Sequence, residues 1–554
     1  MNRSARPVAR RFRTQRAGLL RWVLLTLALG AGCEAKVSLT LQLVKPCGAD
    51  GLFDPSCQYV QVIVSSLDPK DPLYCLPSNG QRPEMAECAL IDGGCQVEGG
   101  SLVGRLKRLD VFCVAEQSGS NPLSRASSQL LDLRDPLDDK DASLGLLMGP
   151  IKGFLPTTVV SPWQLDVGQC SVLAQDGGRY GHASVQLQDG RVLLTGGLLR
   201  TPEGSEVSLP TAEVYDPRTG SHHLVTGKDG VPVTMLESGG RAFHSALRLR
   251  DGRVLLAGGI QLRDGVKTSL GTAELFDPAS EVFESLSQMD GERVHFTLTE
   301  LPDEKILLIG GASYVNGQPG PYHDTAVVYS PKDNEWEGVS GSMSAARAFH
   351  QSVRIGAPGT SGDRVMISGG ENGSGPTDRL EFFDVTTRKF LPEVTLKMAK
   401  KRSRHCAVPL LDGDVAILGG STSGTSSGVD KGVELYSPTA SGNPAGGFRV
   451  HSLQLSVARM DHTCTLLENG QVLVAGGQTA DASAVGSSEL LASRPEGRTL
   501  QPLPTPMKPG RIFHTAIRLD SGWIYFSGGL ENASSPGPAL STATLFVPPP
   551  VGCP

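Results

Sequence analysis

From residue 178 onward, one pattern of hydrophobic and polar positions recurs along the chain. A segment that alternates apolar and polar residues, such as 246–249, is followed by Asp-Gly or a similar pair and then by an uninterrupted apolar run, such as 254–257. Alternation indicates a strand with two unlike faces, Asp-Gly favours a hairpin turn, and a short continuous apolar run indicates a strand that is buried on both faces. Each unit therefore predicts an antiparallel hairpin whose second strand lies in the core.

Each unit is framed by two further motifs. Arg-x-aromatic-His precedes the alternating segment, and Gly-Gly follows the apolar run, as in RYGHASVQLQDGRVLLTGG and RAFHSALRLRDGRVLLAGG. Seven copies occur, and their histidines are 51 to 62 residues apart. The histidines are His182, His244, His295, His350, His405, His462 and His514. The arginines are Arg179, Arg241, Arg347, Arg402, Arg459 and Arg511, with Glu292 at the expected arginine position of the third copy.

A period of about 50 residues with paired glycines is typical of a propeller array, in which each repeat forms one blade. The motifs resemble the kelch repeat, and the resemblance covers about two-thirds of the chain. It implies an all-β fold in which residues 159–554 form a seven-bladed propeller. A third segment, such as TAELFDP, supplies a third strand in each blade. The family usually carries a tryptophan on the fourth strand; Trp336 matches it here, and Phe283, Phe390 and Phe448 are the expected substitutes.

The repeat histidines allow two interpretations. They are either a ring of ligands or bases near the central channel, or structural hydrogen-bonding residues at the start of each inner strand. Recurrence in every copy favours the structural interpretation, because an active site breaks the symmetry of a repeat whereas a scaffold keeps it. The arginines are interpreted in the same way.

The seventh copy ends after its third strand, since few residues follow 542–546. An orphan strand-like segment, 163–167, precedes the first copy. Because a propeller leaves no open sheet edge, we expect this segment to pair with 542–546 and complete the last blade. Cys170 and Cys553 follow the two segments, and a disulfide between them is expected to lock the ring.

Residues 1–32 contain seven arginines and no acidic residue, and they end in a short apolar stretch, 22–29. This pattern is typical of an export signal. Gly-Ala-Gly-Cys at 30–33 resembles the bacterial lipobox, which implies that Cys33 is a lipidated N-terminus in the cell envelope, expected in the outer membrane of a Gram-negative bacterium. The sequence departs from the lipobox at Gly30, where leucine is preferred, so ordinary signal-peptidase cleavage nearby is the alternative.

Residues 33–158 precede the repeats and are expected to form a small disulfide-rich β-sandwich, of immunoglobulin-like or prealbumin-like type. Alternating segments at 37–43, 59–64, 109–114 and 130–133 predict its strands. Six cysteines predict three disulfides of undetermined pairing in an oxidising compartment. They are Cys47, Cys57, Cys75, Cys88, Cys95 and Cys113. A zinc site is disfavoured because the segment has no histidine. Cys406 and Cys464, in the repeats, are interpreted as small buried residues.

The charge balance excludes one class of partner. Of the 51 basic residues, the seven arginines of the export signal are removed, which leaves 44 against 57 acidic residues, a net charge of −13. An acidic chain without a basic cluster is not expected to bind nucleic acid.

One enzymatic relative of the kelch fold can be tested residue by residue. In the copper-radical oxidases of the galactose oxidase type, a tyrosine directly before a repeat histidine ligates copper together with that histidine. None of the seven residues at that place is a tyrosine, and the Tyr322-His323 pair lies out of register. Those seven residues are Gly181, Phe243, Val294, Phe349, Arg404, Asp461 and Phe513. No catalytic residue of the periplasmic kelch mutarotases can be placed on this chain either.

We therefore expect a non-catalytic binding or scaffold lipoprotein of the envelope, not an enzyme, without cofactor or metal, whose partner is an envelope protein or glycan. The alternative is a carbohydrate-active enzyme, either a mutarotase or a galactose-oxidase-like oxidase. Binding is expected through the loops between second and third strands, which share one face with the links to the next blade. Tyr314, Tyr322 and His323, all in the third of these loops, are the contact candidates, although ordinary solvated loop residues are the alternative.

Overall fold

The computed structural model describes residues 178–548, and before them the backbone of ten strands between residues 24 and 158. Within 178–548 the positions not described are 202, 218–220, 228–230, 264, 316, 361, 392–395, 439–445, 450–452, 493–497 and 535–536. Among the described residues the only helix is a 3-10 turn, Ser426–Gly428, and no helix there is long and apolar enough to cross a membrane.

The propeller has seven antiparallel blades, numbered here in chain order, and in each the first strand is innermost. Neighbouring first strands contact one another in a closed circle around the axis. The first strands are Ala183–Gln186, Ser245–Arg248, Thr297–Glu300, Gln351–Ile355, Cys406–Pro409, Thr463–Leu466 and Thr515–Arg518. The second strands are Val192–Thr195, Val254–Ala257, Ile306–Ile309, Arg364–Ser368, Val415–Leu418, Val472–Ala475 and Ile524–Ser527.

The outer half of each blade completes the antiparallel sheet. The third strands are Ala212–Asp216, Ala273–Asp277, Ala326–Ser330, Arg379–Asp384, Val433–Ser437, Glu489–Leu491 and Thr542–Val547. The fourth strands are Ser221–Leu224, Val282–Ser285, Glu335–Gly338, Lys389–Phe390, Gly447–Arg449, Leu500–Pro502 and, in blade 7, Gly153–Thr158. In blade 4 a further short strand, Leu396–Lys397, also pairs with the third strand. The all-β, seven-bladed fold expected from the sequence is confirmed.

The loops between second and third strands form small hairpins in four blades. Each hairpin begins directly after the paired glycines. The pairs are Leu198–Arg200 with Glu206–Ser208, Ile260–Arg263 with Val266–Ser269, Ala312–Val315 with Gln318–Tyr322, and Glu371–Asn372 with Gly375–Pro376.

The apolar core lies between blades. Second strands such as Val254–Ala257 are buried along their whole length, as the continuous apolar runs predict. Among the described residues, each pair of adjacent blades shares one apolar cluster; Val192 and Tyr215 of blade 1, for example, pack with Tyr525 and Leu545 of blade 7. Because every blade buries both faces against its neighbours, the hydrophobic stabilisation is distributed around the ring.

Among the side chains that the structure describes, the third and fourth strands of five blades carry two directly paired rings. Trp336 lies 4.8 Å from Tyr329 and Phe283 lies 5.0 Å from Phe276, measured between ring centroids. Phe390 and Phe448 pair in the same register with Phe383 and Tyr436. In blade 1 the expected tryptophan is replaced by His222, whose ring lies 4.8 Å from that of Tyr215. Phe283, Phe390 and Phe448 are therefore confirmed as substitutes for tryptophan.

An N-terminal strand closes the ring, but it is not the expected segment. Gly153–Thr158 pairs antiparallel with Thr542–Val547. Residues 163–167, like Cys170 and Cys553, lie outside the described residues, so the disulfide stays a prediction. The assignment from spacing failed because the link from a fourth strand to the next histidine has no fixed length. It runs from Leu224 to His244 after blade 1, but only from Gly338 to His350 after blade 3.

The segment before the propeller contains β-strands. The expected strands at 37–43, 59–64 and 109–114 correspond to Leu39–Val44, Tyr59–Ser66 and Lys107–Val114, whereas 130–133 lies outside the described residues. The other strands are Leu24–Leu27, Glu84–Ala89, Gly94–Val97, Ser124–Ser127, Ala142–Leu147 and Gly149–Pro150. Five of the nine form one antiparallel sheet, and the remaining four form two parallel pairs.

The repeat arginine ties each blade together internally. In blade 2, Arg241 Nη1 donates to the carbonyl oxygens of Gly258 at 2.9 Å and Thr272 at 3.2 Å, which joins the end of the second strand to the start of the third. Its Nη2 forms a buried ion pair with Glu274. The same ion pairs are Arg179–Glu213, Arg347–Glu381, Arg402–Glu434 and Arg459–Glu489. Arg511 instead donates to Thr544 of the third strand.

In blade 3 the repeat arginine is Arg293. The expectation from the sequence, which placed Glu292 at this position, is wrong. Arg293 Nη1 donates to the carbonyl of Gly310 at 3.1 Å, and Nη2 donates to Thr325 Oγ1 at 2.8 Å. These are the partners expected of a repeat arginine. The third copy is therefore displaced by one residue from the assumed register.

The paired glycines are where one blade meets the next. The N–H of the second glycine donates to the carbonyl of the following blade's arginine, as from Gly197 to Arg241 at 2.9 Å. The last of these bonds runs from Gly529 of blade 7 to Arg179 of blade 1, at 2.8 Å. The first glycine has positive φ in every pair. An added Cβ there would overlap the same carbonyl, so both the conformation and the close approach require glycine.

We expect Gly258→Ala to lower the free energy of unfolding by about 3 kcal/mol or more, because it adds backbone strain and displaces the Arg293 carbonyl. Gly291→Ala is the matched control: its φ is +84°, and no described atom lies within 4 Å of an added Cβ. It should cost only the strain of about 1–2 kcal/mol. Urea denaturation measures both variants, and equal losses would contradict the inter-blade role of the glycine.

Candidate functional site

A ring of left-handed residues surrounds one end of the central channel. In each blade the second residue after the repeat arginine has φ between 51° and 60°. The N–H of Phe349 donates to the carbonyl of His295, that of Arg404 to Phe349, and that of Asp461 to Arg404, at 3.0–3.1 Å. These contacts run from blade to blade around the axis. The residues, called here the mouth ring, are Gly181, Phe243, His295, Phe349, Arg404, Asp461 and Phe513.

His295 belongs to the mouth ring and not to the repeat histidines. With Arg293 as the arginine of blade 3, the histidine position falls on Phe296, which is buried. The Phe296 ring approaches the first glycine of blade 2, Gly258, just as the His350 ring approaches Gly310 of blade 3. The displaced register thus places an additional, half-buried imidazole at the channel mouth.

The other six histidines lie at equivalent buried positions. In five of them Nε2 is hydrogen-bonded to a hydroxyl of the preceding blade. The partners are His182 with Ser527, His244 with Thr195, His350 with Thr297, His405 with Ser368, and His514 with Thr463. Each of these bonds joins two blades.

Burial holds these imidazoles in the neutral form. Desolvation, reinforced by the positive charge of Arg347, lowers the pKa of His350 to about 3. Desolvation and Arg511 do the same for His514, whose pKa also falls to about 3. A buried imidazole beside a fixed guanidinium cannot accept a proton near neutral pH, so these residues are poor general bases.

One side of the mouth ring is packed with aromatic side chains. The rings of Phe243 and Phe513 lie 5.6 Å apart edge to face, and Tyr180 lies 6.1 Å from Phe243. Gly181 leaves the space that Phe243 occupies, because an added Cβ would lie 2.8 Å from the phenyl ring. This sector, formed by blades 7, 1 and 2, is closed by apolar contacts.

The opposite sector carries the charges. The guanidinium of Arg404 lies 3.7 Å from the centroid of the Phe349 ring, which in turn stacks on His295 at 3.8 Å. Arg404 also lies 3.4 Å from Glu371 and 3.6 Å from Asp461. The side chains of Glu371 and Asp461 are nearly buried. The arrangement is a cation held between two carboxylates and an aromatic face.

The environment shifts the titration of this cluster. Burial raises the pKa of Asp461, and Arg404 opposes that shift. Burial alone would lower the pKa of Arg404, but Asp461 and Glu371 more than offset it, and the pKa is raised. The guanidinium therefore remains charged and is held in place by its acidic partners.

The structure separates the three contact candidates. Burial raises the pKa of Tyr314 and of Tyr322, and both phenols lie within the electrostatic influence of Arg404 and Glu371. Tyr314 also packs against the apolar cluster that contains Tyr180, together with Phe243 and Phe513, so its ring lies at the mouth. His323 has other partners. Its ring Nε2 lies 3.0 Å from Ser313 Oγ, and its main-chain N–H donates to the carbonyl of Gly311.

The sequence analysis missed Arg404, Glu371, Asp461 and Phe349 as site residues. A signal was present: the arginine and histidine positions are nearly constant among the seven copies, whereas the position between them varies in size, charge and polarity. Cys33, Cys47, Cys57 and Cys75 lie outside the described residues, and only the backbone is described at Cys88, Cys95 and Cys113.

Comparisons with known proteins agree with this architecture. The kelch-motif family profile matches residues 293–342, which contain Arg293, the second and third strands of blade 3 and Trp336. The motif match and the seven-bladed fold together support a kelch-repeat β-propeller. No curated protein sequence gives a significant match.

Many solved structures are similar to the kelch propeller, and two of them show the extent of the likeness. One is described as a "Novel fungal alcohol oxidase with catalytic diversity among the AA5 family, in complex with copper", with a TM-score of 0.50 and 17% identity over 68% of this chain and 75% of that chain. The other is YjhT, with a TM-score of 0.43 and 15% identity over 60% of this chain and all of that one.

The likeness to the alcohol oxidase corrects one expectation. That protein is an enzyme built on this fold, which contradicts, at distant identity, the expectation that the kelch chain is not an enzyme. The expectation rested on the absence of a tyrosine before each repeat histidine, which argues against one kind of copper site and not against catalysis in general. The fold gives no ground for excluding catalysis.

The mouth of the kelch propeller does not carry the copper ligands expected of the galactose oxidase type. With the corrected register, the seven mouth-ring positions still contain no tyrosine. His323 of the Tyr322-His323 pair is hydrogen-bonded to Ser313, away from the ring. The residues of the mouth ring therefore do not fit a copper ion of this type.

We expect the kelch propeller to lose stability as the pH falls from 7 to 5. The histidine pKa is about 6.5 in the unfolded chain but about 3 for folded His350 and His514, so the unfolded chain binds more protons in this window. Stability is full above pH 6.5, and each such histidine contributes a loss of up to about 1.4 kcal/mol per pH unit below it.

Thermal unfolding at pH 7, 6 and 5 measures this slope. His350→Gln, which keeps a hydrogen-bonding side chain without the titration, should make the slope shallower. A melting temperature that is constant from pH 7 to 5 would contradict burial of the neutral imidazoles.

Proposed function

We propose that this kelch propeller is an exported, lipid-anchored protein of the cell envelope that binds a glycan at the charged sector of its mouth ring. The observation that carries the proposal is the break in symmetry. The arginine and glycine positions repeat from blade to blade, while His295, Phe349, Arg404 and Asp461 differ at one equivalent position and meet in one sector.

The chemistry of the sector suits a sugar. Half-buried aromatic rings at Phe349, Tyr314 and Tyr322 can pack against the C–H faces of a pyranose. Glu371 and Asp461 can accept hydrogen bonds from hydroxyl groups, and Arg404 can donate them. A small number of fixed polar groups among aromatic side chains is the usual composition of a small-molecule site.

The charge balance favours a neutral sugar over an anionic one. Arg404 is already paired with two acidic side chains, so the cluster has no surplus positive charge for a phosphate or a carboxylate. The net negative charge of the whole chain supports the same choice.

The envelope location rests on the N-terminal sequence. Seven arginines, a short apolar stretch and Gly-Ala-Gly-Cys at 30–33 support export and lipidation at Cys33. The cysteine-rich segment that follows supports an oxidising compartment. A propeller tethered in this way would present its mouth to polymers of the envelope.

We expect the mature protein to bind neutral hexose or N-acetylhexosamine oligosaccharides on a glycan array, with affinity confirmed by calorimetry. Phe349→Ala and Arg404→Ala should each weaken binding about tenfold or more, because losing one stacking face or one ionic hydrogen bond costs about 1.4 kcal/mol or more. Arg250→Ala is the matched control, since this exposed arginine pairs with Glu300 and Glu304 away from the mouth.

Two outcomes would refute the glycan site. Either the wild type binds no oligosaccharide on the array, or both mouth variants bind as tightly as the control. In each case circular dichroism would first establish that the variants retain the fold.

We expect metabolic labelling with a palmitate analogue to mark the wild-type protein and not Cys33→Ser. Loss of the lipid should also release the variant from the membrane fraction. An unlabelled wild type would contradict the lipid anchor at Cys33.

A further inference from the structure

One repeat histidine lacks the partner that the others have. Neither ring nitrogen of His462 has a hydrogen-bond partner among the described residues, although only 7% of the residue is exposed. In the other blades the partner hydroxyl lies at the end of the preceding second strand or at the start of the preceding first strand. For His462 these two positions are occupied by Leu418 and Cys406.

Cys406 does not stand alone. The structure joins it to Cys464 in a disulfide between the first strands of blades 5 and 6, with the Cα atoms 6.0 Å apart. The sequence alone indicates only that both are small buried residues. Whether they can pair depends on how the two neighbouring blades are staggered, which the sequence does not show. The sulfur atoms of Cys406 and Cys464 and a ring nitrogen of His462 all lie within 4.8 Å of one another.

We propose that reduction of the Cys406–Cys464 disulfide opens a Zn²⁺ site made of the two sulfur atoms and the His462 imidazole. Two thiolates and one imidazole are a donor set that Zn²⁺ prefers. Cys464 is only half-buried and lies on a first strand that borders the channel, so solvent there can supply a fourth ligand.

The sequence around the site argues against a purely structural disulfide. A serine or threonine in place of Leu418 would satisfy the histidine, as Ser368 does for His405. A phenylalanine in place of His462 would remove the unpaired nitrogen, as Phe296 does in blade 3. The chain does neither, although an unsatisfied buried polar group costs about 1–3 kcal/mol. Coordination of a metal ion would satisfy the imidazole.

The step is balanced as a thiol–disulfide exchange followed by metal binding. A dithiol reductant supplies two electrons and two protons, the Cys406–Cys464 bond breaks to give two thiols, and the reductant becomes a disulfide. Zn²⁺ then binds as the two thiols release their protons to solvent. A disulfide oxidant reverses the step: it accepts two electrons and two protons to become a dithiol, the Cys406–Cys464 bond forms again, and the ion is released.

The test uses the mature protein reduced with a phosphine reductant, dialysed without oxygen and titrated with Co²⁺ as a spectroscopic substitute for Zn²⁺. We expect the reduced wild type to gain a thiolate-to-cobalt absorption band that Zn²⁺ abolishes and that the oxidised protein lacks. The band that persists in Cys406→Ser/Cys464→Ser reports the other nine cysteines of the chain and is subtracted.

His462→Gln should weaken Co²⁺ binding at the remaining site at least tenfold, whereas His405→Gln, at the equivalent position of the neighbouring blade, should leave it unchanged. A wild-type spectrum no stronger than that of the double cysteine variant would overturn the proposal, as would full binding by His462→Gln.

A second measurement needs no variant that could fail to fold. Mass spectrometry of the reduced wild type, alkylated with and without Zn²⁺, follows Cys406 and Cys464 individually. Protection of both by Zn²⁺ is expected, and equal alkylation in the two samples would overturn the site. Neither outcome depends on glycan binding at the mouth.

Discussion

The buried arginine of each blade is the interaction on which the propeller depends. The Arg241 side chain bonds to the end of the second strand and to the third strand of its own blade. Its main-chain carbonyl accepts the N–H of Gly197 from the blade before it. One residue thus fixes both the shape of a blade and its distance from the previous one. Desolvating a guanidinium is costly, so these ion pairs add less to stability than to the definition of a unique arrangement.

This constraint separates the scaffold from the site. Once the arginine is fixed on one side and the first strand on the other, the residue near the histidine is held in the left-handed region at the channel mouth. Its side chain makes no contribution to the bonds between arginine and glycine. Seven positions are therefore free to vary in chemistry while the fold stays the same, and Arg404 and Asp461 differ from Phe243 for that reason.

Much of the fold could be predicted from the sequence, because hydrophobic period, hairpin turns and paired glycines are local signals. The site could not. In blade 3, Glu292 and Arg293 are adjacent, and only the bonds of Arg293 to Gly310 and Thr325 show which of them occupies the repeat position. The correct closing strand, Gly153–Thr158, was missed because link lengths vary. The disulfide between Cys406 and Cys464 joins residues 58 positions apart, and their proximity follows from how two blades are staggered.

At the mouth of the channel, the departures from symmetry divide into two sectors. Blade 7 is completed by a strand from the other end of the chain, and it meets blades 1 and 2 at the packed aromatic side chains of Tyr180, Phe243 and Phe513. The sector that must hold the ring together is thus the most apolar at the mouth. The sector from blade 3 to blade 6 lies within one continuous stretch of chain, and it is there that charged, aromatic and sulfur-bearing side chains accumulate. The residues that vary at the mouth thus lie apart from the pairing of Gly153–Thr158 with Thr542–Val547, so the chemistry of the mouth can change without disturbing the closure of the ring.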